Sequence, residues 1–154
     1  MKGNKEIIDI LNLRLSEELG SVNQYFVHAE MCANWGYTKL HDVIRKRAIA
    51  EMKHAERIIE RIIYLEGQPN VSKLSTITIG KDVETQLQFD YEAEKIAIQG
   101  YNDGIKACID AGDNGTRELF KSNLLDEEEH IDWIEAQMDQ IKQMGLSMYL
   151  SNQV

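Results

Sequence analysis

The feature that most constrains the fold is a short motif that occurs twice, a glutamate followed three residues later by a histidine. Glu51 precedes His54 in the first copy, and Glu127 precedes His130 in the second copy, in the other half of the chain. Residues three apart lie on one face of an α-helix, so each copy presents a carboxylate beside an imidazole. These two groups together can bind a first-row transition metal. A single copy would be weak support for a metal site, because the pattern is common in charged helices.

Two more glutamates repeat at the same interval as the two copies of the motif. The separation of Glu18 from Glu51 equals the separation of Glu94 from Glu127. Both pairs also flank a glycine-containing break at matching offsets. At about 1.5 Å rise per residue, the two members of each pair lie at nearly the same height in a helical hairpin. Two such hairpins present the ligand pattern of ferritin-like di-iron bundles, a Glu and a Glu-x-x-His from each half.

The charge of these six residues favours two bound metal ions. Four carboxylates and two neutral imidazoles carry a charge of −4, which two divalent cations balance. Without metal, four carboxylates in a bundle core would be costly, and some of them would stay protonated. The alternative is a set of solvated surface glutamates. The shared spacing of all six positions disfavours that alternative.

The composition predicts an all-α protein with a single domain, residues 1–154. Helix-forming residues are abundant, and there is one proline. No stretch is apolar for long enough to span a membrane, and the first residues lack the apolar core of an export signal, so we expect a cytoplasmic protein. Cys32 and Cys108 have no metal-binding spacing and are expected to be reduced thiols in the core or at an interface. A net charge of −9 argues against a nucleic-acid partner and suits attraction of cations.

Four long helices follow from the apolar periodicity and the capping residues. They are predicted from Asn4 to about Trp35, from Thr38 to Glu66, from Asp82 to about Ala111 and from Thr116 to Gly145. Asn4, Thr38 and Asp82 are the predicted N-caps, and Gly36 is predicted to end the first helix. The inward apolar stripes include all four glutamates of the candidate site.

The connection of residues 67–81 is too long for a hairpin. It contains apolar residues that can lie along the bundle, and its extended length is about 50 Å, against about 40 Å for the helices. This predicts one long crossover, the connection found in ferritin-like bundles. Residues 146–154 form a short apolar tail that is expected to make a fifth helix. A lone subunit would gain little from this tail, so we interpret it as an assembly element.

Five stretches of the sequence carry a resemblance to a known family. They are NQYFVHA at 23–29, EMKHA at 51–55, ERIIYLEG at 60–67, DEEEHIDW at 126–133 and MGLSMYL at 144–150. Together they make the chain similar to the bacterioferritins along nearly its whole length. The resemblance implies a ferritin-like four-helix bundle with one long crossover and a short C-terminal fifth helix. It also implies a hollow, homo-oligomeric shell of 24 subunits that stores ferric mineral.

The same resemblance implies a ferroxidase, which oxidises Fe(II) with dioxygen or hydrogen peroxide at a di-iron centre in each subunit. Residue by residue, the iron ligands of the family match the six residues found by spacing. They are Glu18, Glu51, His54, Glu94, Glu127 and His130. Glu51 and Glu127 match the bridging carboxylates. A ferredoxin-type protein is implied as the reductant for iron release.

Met52 matches the methionine that binds haem in this family. The resemblance implies haem b between two paired subunits, with Met52 from each subunit as an axial ligand through its thioether. Met52 lies about 100° around the helix from Glu51, so it can face a neighbouring subunit while Glu51 faces the core. The alternative is a methionine that only packs at an interface.

Tyr25 and Tyr101 lie seven residues, about two helical turns, after the first glutamate of their half of the chain. Each hydroxyl is expected to face the site, where it can hydrogen-bond a ligand across the bundle or donate an electron. The alternative for each is an ordinary core tyrosine. Asp126 and Asp90 are candidates to accept hydrogen bonds from the free ring nitrogens of the ligand histidines.

Two other functions are compatible with the sequence. A di-iron peroxidase or oxygenase can use the same bundle, although the chain lacks a rubredoxin-like Cys-x-x-Cys module and the insertions that usually build a substrate pocket. The second alternative is a non-catalytic helical assembly or binding module, which would not consume oxygen in the presence of Fe(II).

Overall fold

The computed structural model describes residues 1–154 as five α-helices without a β-strand. The helices are α1 (Lys5–Asn34), α2 (Thr38–Tyr64), α3 (Val83–Ala111), α4 (Asn114–Met144) and α5 (Leu146–Ser151). The first four are 27 to 31 residues long, and α5 has six residues. The predicted all-α class and the four-helix bundle with a short fifth helix are confirmed. No helix is both long enough and apolar enough to cross a membrane.

Polar side chains cap the N-termini of two of the long helices, as predicted. Asn4 accepts a hydrogen bond from the backbone N–H of Glu6 at 2.8 Å. Asp82 accepts one from the backbone N–H of Thr85 at 2.9 Å, and the Thr85 hydroxyl oxygen accepts from the Asp82 N–H. These bonds satisfy backbone donors that have no partner inside the helix, so they determine where α1 and α3 begin.

The predicted cap and the predicted end of α2 are wrong. Thr38 is the first helical residue rather than the cap, and Tyr37 before it makes no capping hydrogen bond with its side chain. The helix ends at Tyr64, before the predicted stop at Gly67. Glu66 takes the left-handed conformation, with φ of 60°, so the chain turns away from the helix before it reaches the glycine.

The start of α4 is also earlier than predicted. The helix begins at Asn114 rather than at Thr116, because Asp113 is its cap. The Asp113 carboxylate accepts a hydrogen bond from the Thr116 backbone N–H at 2.9 Å. Thr116 is therefore the partner of the cap and lies within the first helical turn.

One long connection, residues 65–82, joins two antiparallel hairpins, α1 with α2 and α3 with α4. The connection runs along α1 in the same direction as that helix. Near its start, the Asn70 backbone N–H donates to the Asn12 side chain at 2.8 Å. Near its end, the Gly80 backbone N–H donates to Nε2 of His28 at 2.9 Å. The chain thus returns to the opposite end of the bundle before α3 begins, and the predicted long crossover is confirmed.

Buried apolar side chains form two clusters, one at each end of the bundle. The first contains Ile7, Leu11, Leu15, Ala55, Ile58, Ile62, Leu65, Tyr101, Cys108 and Phe120. The second contains Tyr25, Ala29, Cys32, Leu40, Ile44, Ala48, Val83, Leu87, Ile134 and Tyr149. Both cysteines are free thiols in the core, as predicted. Burial stabilises the fold by about 1.5–3 kcal/mol for each large side chain, which offsets the cost of the polar layer between the two clusters.

The C-terminal tail packs on its own bundle. Tyr149 is fully buried in the second cluster, and its hydroxyl donates to Oε1 of Gln137 at 3.0 Å. The Lys39 backbone N–H donates to the Gln153 carbonyl at 3.1 Å. The interpretation that a lone subunit gains little from this tail is therefore wrong. Met148 is the exposed large apolar side chain of α5.

Candidate metal centre

The six residues of the spacing pattern meet at mid-length of the bundle, in the polar layer between the two apolar clusters. They are Glu18 on α1, Glu51 and His54 on α2, Glu94 on α3, and Glu127 and His130 on α4. Five of them are almost completely buried, and the His130 side chain is 15% exposed. On each of the four long helices, these residues occupy the interval between the residues of the first cluster and those of the second.

His54 faces three carboxylates through a single ring nitrogen. Its Nδ1 lies 2.9 Å from Oε1 of Glu127 and 3.1 Å from Oε2 of Glu51. Oε2 of Glu18 is 3.4 Å from the same nitrogen. On the other side of the ring, Nε2 lies 2.9 Å from Oδ2 of Asp126, so the predicted contact of Asp126 with a histidine of the site is confirmed. A proton on Nε2 directed to Asp126 leaves the Nδ1 lone pair available for a metal ion once Nδ1 is deprotonated.

His130 faces the same two central carboxylates from the opposite side. Its Nδ1 lies 3.1 Å from Oε1 of Glu51 and 3.2 Å from Oε2 of Glu127. Oε1 of Glu94 is 3.6 Å away. Glu51 and Glu127 thus direct one oxygen toward each histidine, whereas Glu94 approaches only His130. The two imidazole rings are stacked with centroids 6.5 Å apart, which leaves the shared carboxylates between them.

Two overlapping groups of four residues have ligand atoms within 4.8 Å of one another. One group is Glu18, Glu51, His54 and Glu127, and the other is Glu51, Glu94, Glu127 and His130. Each offers carboxylate oxygens and one imidazole nitrogen, a donor set that suits iron and its neighbours in the first transition row. One Nδ1 proton cannot satisfy three carboxylates, and Oε1 of both central glutamates is buried without a hydrogen-bond partner. The residues present therefore fit a pair of cations.

The pKa values of the site describe how it is neutralised without metal. Burial raises the pKa of Glu18 well above its ordinary value, and the charge of Glu51 raises it further. Burial likewise raises the pKa of Glu94, with a further contribution from Glu127. Burial alone would lower the pKa of the histidines, but their hydrogen bonds to the carboxylates raise it, for His130 to about 11. Protons therefore occupy the metal-free site where cations would bind.

Tyr25 and Tyr101 hydrogen-bond the site across the bundle, as predicted. The Tyr25 hydroxyl donates to Oε1 of Glu94, and the Tyr101 hydroxyl donates to Oε1 of Glu18. Burial, together with the neighbouring carboxylates, raises the pKa of both phenols. Both tyrosines thus stay protonated at neutral pH and continue to donate these hydrogen bonds.

The prediction that Asp90 contacts a histidine of the site is wrong. Asp90 instead accepts a hydrogen bond from Nε2 of Gln24 at 2.8 Å and contacts Nδ1 of His28 at 2.9 Å. The Gly80 backbone N–H donates to Nε2 of His28, and the Thr78 backbone N–H donates to Oε1 of Gln24 at 3.1 Å. Asp90 therefore helps to fasten the crossover to α1. The sequence signal for this contact is the pair of polar residues Gln24 and His28, which lie one helical turn apart on the buried side of α1.

Met52 lies on the outer side of α2, next to the buried Glu51. Its side chain is 48% exposed. Ile49, Ile59 and Ile63 share this face of the helix by their spacing. Arg45 and Glu56 also share this face by their spacing, so the exposed Met52 thioether lies on a mixed surface where a second molecule can reach it.

A cavity of about 230 Å³ lies against the carboxylates of the site, between α1, α3 and the crossover. It is lined by Glu17, Glu18, Ser21, Glu51, Ser75, Thr76, Ala93, Ile96, Ala97 and Glu127. Thr76 and Ile96 are exposed, so the cavity reaches the surface. Glu17 was not predicted, because nothing in the sequence distinguishes it from the many surface acids.

Residues 8–144 match the family model described as the ferritin-like domain. The matched range contains all six residues of the candidate metal centre together with the long crossover. The fold and the site therefore define the protein as a member of the ferritin-like class.

Similar proteins within this class are bacterioferritins. That of Brucella melitensis biotype 1 is 40% identical over 97% of this chain and 92% of its own length. That of Streptomyces coelicolor is 40% identical over 98% of this chain and 90% of its own length. That of Mycolicibacterium paratuberculosis is 36% identical, with 97% and 94% covered. The chain belongs to the bacterioferritin family, which confirms the resemblance carried by the five sequence stretches and supports a role in iron storage.

Proposed function

We propose that the protein stores iron and oxidises Fe(II) to Fe(III) at the six-residue site, named here the di-iron centre. The observation that carries the proposal is the position of Glu51 and Glu127. Each directs one oxygen to His54 and the other to His130. Carboxylates in this position can hold two cations side by side, and two divalent ions balance the four negative charges of the centre.

The ligands divide the centre into two metal positions that share their central carboxylates. Glu18 and His54 hold one iron, and Glu94 and His130 hold the other. When bound as a pair, two Fe(II) ions supply two electrons to dioxygen or hydrogen peroxide. The carboxylate oxygens bind Fe(III) as well as Fe(II), so the same residues retain the product until it moves to the store.

Fe(II) reaches the centre through the cavity beside Glu17. The cavity touches three glutamates of the centre and is lined by a fourth, Glu17, close to the surface. The net charge of −9 raises the local concentration of cations around the protein.

The proposed working form is a homo-oligomeric shell of 24 subunits that encloses the ferric mineral. Large apolar side chains that are exposed on the single chain, among them Trp35, Ile63 and Met148, are available for subunit contacts. We place haem b between paired subunits, held by Met52 from each subunit. Haem supplies a route for electrons into the shell, and a ferredoxin-type protein is the proposed electron donor for iron release.

The geometry gives less support to the two alternative functions. A cavity of about 230 Å³ with four glutamates in its lining is smaller than the usual small-molecule site of about 300–1,000 Å³. It suits a small cation better than the organic substrate of a peroxidase or oxygenase. A non-catalytic assembly module would have no use for four carboxylates buried around two histidines.

The experiment that tests the proposal measures Fe(II) oxidation and oxygen consumption in two ligand variants. Glu18→Ala and His130→Ala each leave one iron short of a ligand, so the fast initial rate should fall by at least about tenfold while the assembled size is kept. Glu128→Ala is the matched control, because Glu128 is exposed and adjacent to Glu127. Wild-type initial rates in either ligand variant would contradict the assignment.

A further inference from the structure

On the Glu18 side of the di-iron centre, Glu18 is hydrogen-bonded by Tyr101, and Tyr101 is in turn hydrogen-bonded by Asn123. The Tyr101 hydroxyl donates to Oε1 of Glu18, and the Tyr101 oxygen accepts a hydrogen bond from Nδ2 of Asn123 at 3.0 Å. Asn123 is completely buried, and its Oδ1 has no hydrogen-bond partner. A buried carbonyl without a partner is destabilising. The hydrogen bond to Tyr101 is therefore the one favourable polar contact of the Asn123 amide.

The contact determines the direction of the Tyr101 proton. An amide NH₂ group can only donate, so the Tyr101 oxygen acts as the acceptor toward Asn123. The single phenol proton is then directed to Oε1 of Glu18. The second oxygen, Oε2, lies 3.4 Å from Nδ1 of His54 and is left for a metal ion.

On the Glu94 side, the tyrosine that hydrogen-bonds the glutamate has no second residue to fix its own orientation by a hydrogen bond. Tyr25 donates to Oε1 of Glu94, and no side chain donates to the Tyr25 oxygen in return. The same Oε1 is the atom that faces His130, so the tyrosine and a metal ion compete for one oxygen. The His130 side chain is 15% exposed, against 1% for His54, and lacks the carboxylate that Asp126 provides to His54.

We propose that Asn123 and Tyr101 are positioning residues that make the Glu18 side of the di-iron centre the tighter of its two metal sites. A ligand already held in its metal-binding orientation gives up less conformational freedom when the metal binds. The first metal ion then occupies the Glu18 side, and the Glu94 side exchanges its metal more readily. This inference rests on the proposed di-iron centre.

Anaerobic titration with Co(II), followed through the visible absorbance of the bound ion, measures binding at both sites without turnover. Wild-type protein should bind two Co(II) ions in two resolved steps. Tyr101→Phe removes the hydroxyl, and Asn123→Leu removes the amide while keeping the number and branching of the side-chain heavy atoms. Each should weaken the tighter step by about tenfold or more and leave the weaker step unchanged. Tyr25→Phe is the matched control: it removes a hydroxyl from the Glu94 side only, so it should leave the tighter step unchanged.

Two further measurements separate positioning from a general structural role. Asn123→Leu also removes the unpartnered carbonyl, so the melting temperature of the metal-free protein should be unchanged or higher. Because Asn123 acts through Tyr101, the double variant should bind no more weakly than Tyr101→Phe alone. The proposal would be overturned if wild-type protein bound both Co(II) ions with equal affinity, or if Tyr101→Phe left the tighter step unchanged. It would also be overturned if the variants weakened both steps equally, or if the losses of affinity in the double variant were additive. Wild-type protein that binds no Co(II) would overturn the di-iron centre itself.

Discussion

At the scale of single residues, two histidines and two glutamates hold the protons of the metal-free site. His54 and His130 each turn Nδ1 toward three carboxylates. The imidazolium form suits these neighbours, because a positive charge between buried carboxylates lowers the cost of burying them. Glu18 and Glu94 have raised pKa values and stay protonated, mainly because they are buried. The metal-free site is thus balanced by protons, which a cation must displace.

Metal binding should therefore release protons and weaken as the pH falls. Glu18, Glu94 and both histidines have raised pKa values, so they carry protons near neutral pH that the bound metal excludes. Lower pH stabilises the protonated, metal-free form, so the affinity for Zn(II) should decrease as the pH is lowered from about 8 to about 6. Proton release can be followed with an indicator dye in weakly buffered solution. Glu18→Gln should release fewer protons than wild type, and Zn(II) binding without any release would contradict the expectation.

Met52 gives a second prediction at the residue scale. Met52→Leu keeps the side-chain volume roughly constant but removes the thioether. The variant should assemble to normal size and lose the absorbance of bis-methionine haem. Met148→Leu is the matched control, since it changes another exposed methionine outside the proposed haem site. Wild-type protein that is purified without haem and cannot take up added haem would count against Met52 as a ligand.

At the scale of elements, the crossover is held by a buried polar network rather than by apolar packing. Its residues from Val71 to Thr76 are largely exposed, and most of its fixed contacts are hydrogen bonds to α1. His28 joins two elements, since one ring nitrogen accepts from the Gly80 backbone N–H and the other contacts Asp90 on α3. The end of the crossover, and with it the start of α3, therefore depends on a few buried hydrogen bonds.

His28→Leu should destabilise the subunit by about 3 kcal/mol, because it leaves the Gly80 N–H and part of the Asp90 carboxylate buried without partners. The comparison is Asn12→Ala, which removes two hydrogen bonds at the exposed start of the same crossover and should cost about 1 kcal/mol. Urea denaturation of both variants measures the free energy of unfolding. Equal, small losses in the two variants would show that the buried network does not hold the crossover.

At the scale of the whole molecule, α5 closes one end of the bundle. Tyr149 belongs to the second apolar cluster together with residues from all four long helices. Its hydroxyl bonds to Gln137 on α4, and the residues after α5 bond to the start of α2. The tail therefore stabilises the subunit before it can contribute to a shell.

Tyr149→Ala should lower the free energy of unfolding of the subunit by about 3–5 kcal/mol, because it leaves a large cavity in a packed cluster. Met148→Ala is the matched control on the same helix, and its exposed side chain should change subunit stability by less than about 0.5 kcal/mol. Calorimetry measures the stability, and size-exclusion chromatography measures assembly. Truncation after Gly145 should destabilise the subunit and open the shell. An unchanged melting temperature in the truncated chain would contradict this role of the tail.

The sequence by itself determined the height of each candidate ligand in the bundle. The equal intervals between the matched glutamates, and between the two copies of the Glu-x-x-His motif, place the six residues at one level, because rise per residue is a local property of the α-helix. The same locality made Asn4 and Asp82 predictable as caps, since a cap bonds to a backbone N–H within three residues. Thr38 failed as a cap because it is already the first helical residue of α2, and Tyr37 before it makes no side-chain capping hydrogen bond.

Only the tertiary structure decided which side chains meet across different helices. Asp90 lies one turn before Glu94, yet Gln24 and His28 from α1 bind it. Asn123 contacts Tyr101 from another helix, and Tyr149 reaches into a cluster formed by the rest of the chain. These contacts depend on how far each helix is rotated about its own axis and on the path of the crossover. Periodicity along one helix contains neither quantity, because both are set by packing between helices.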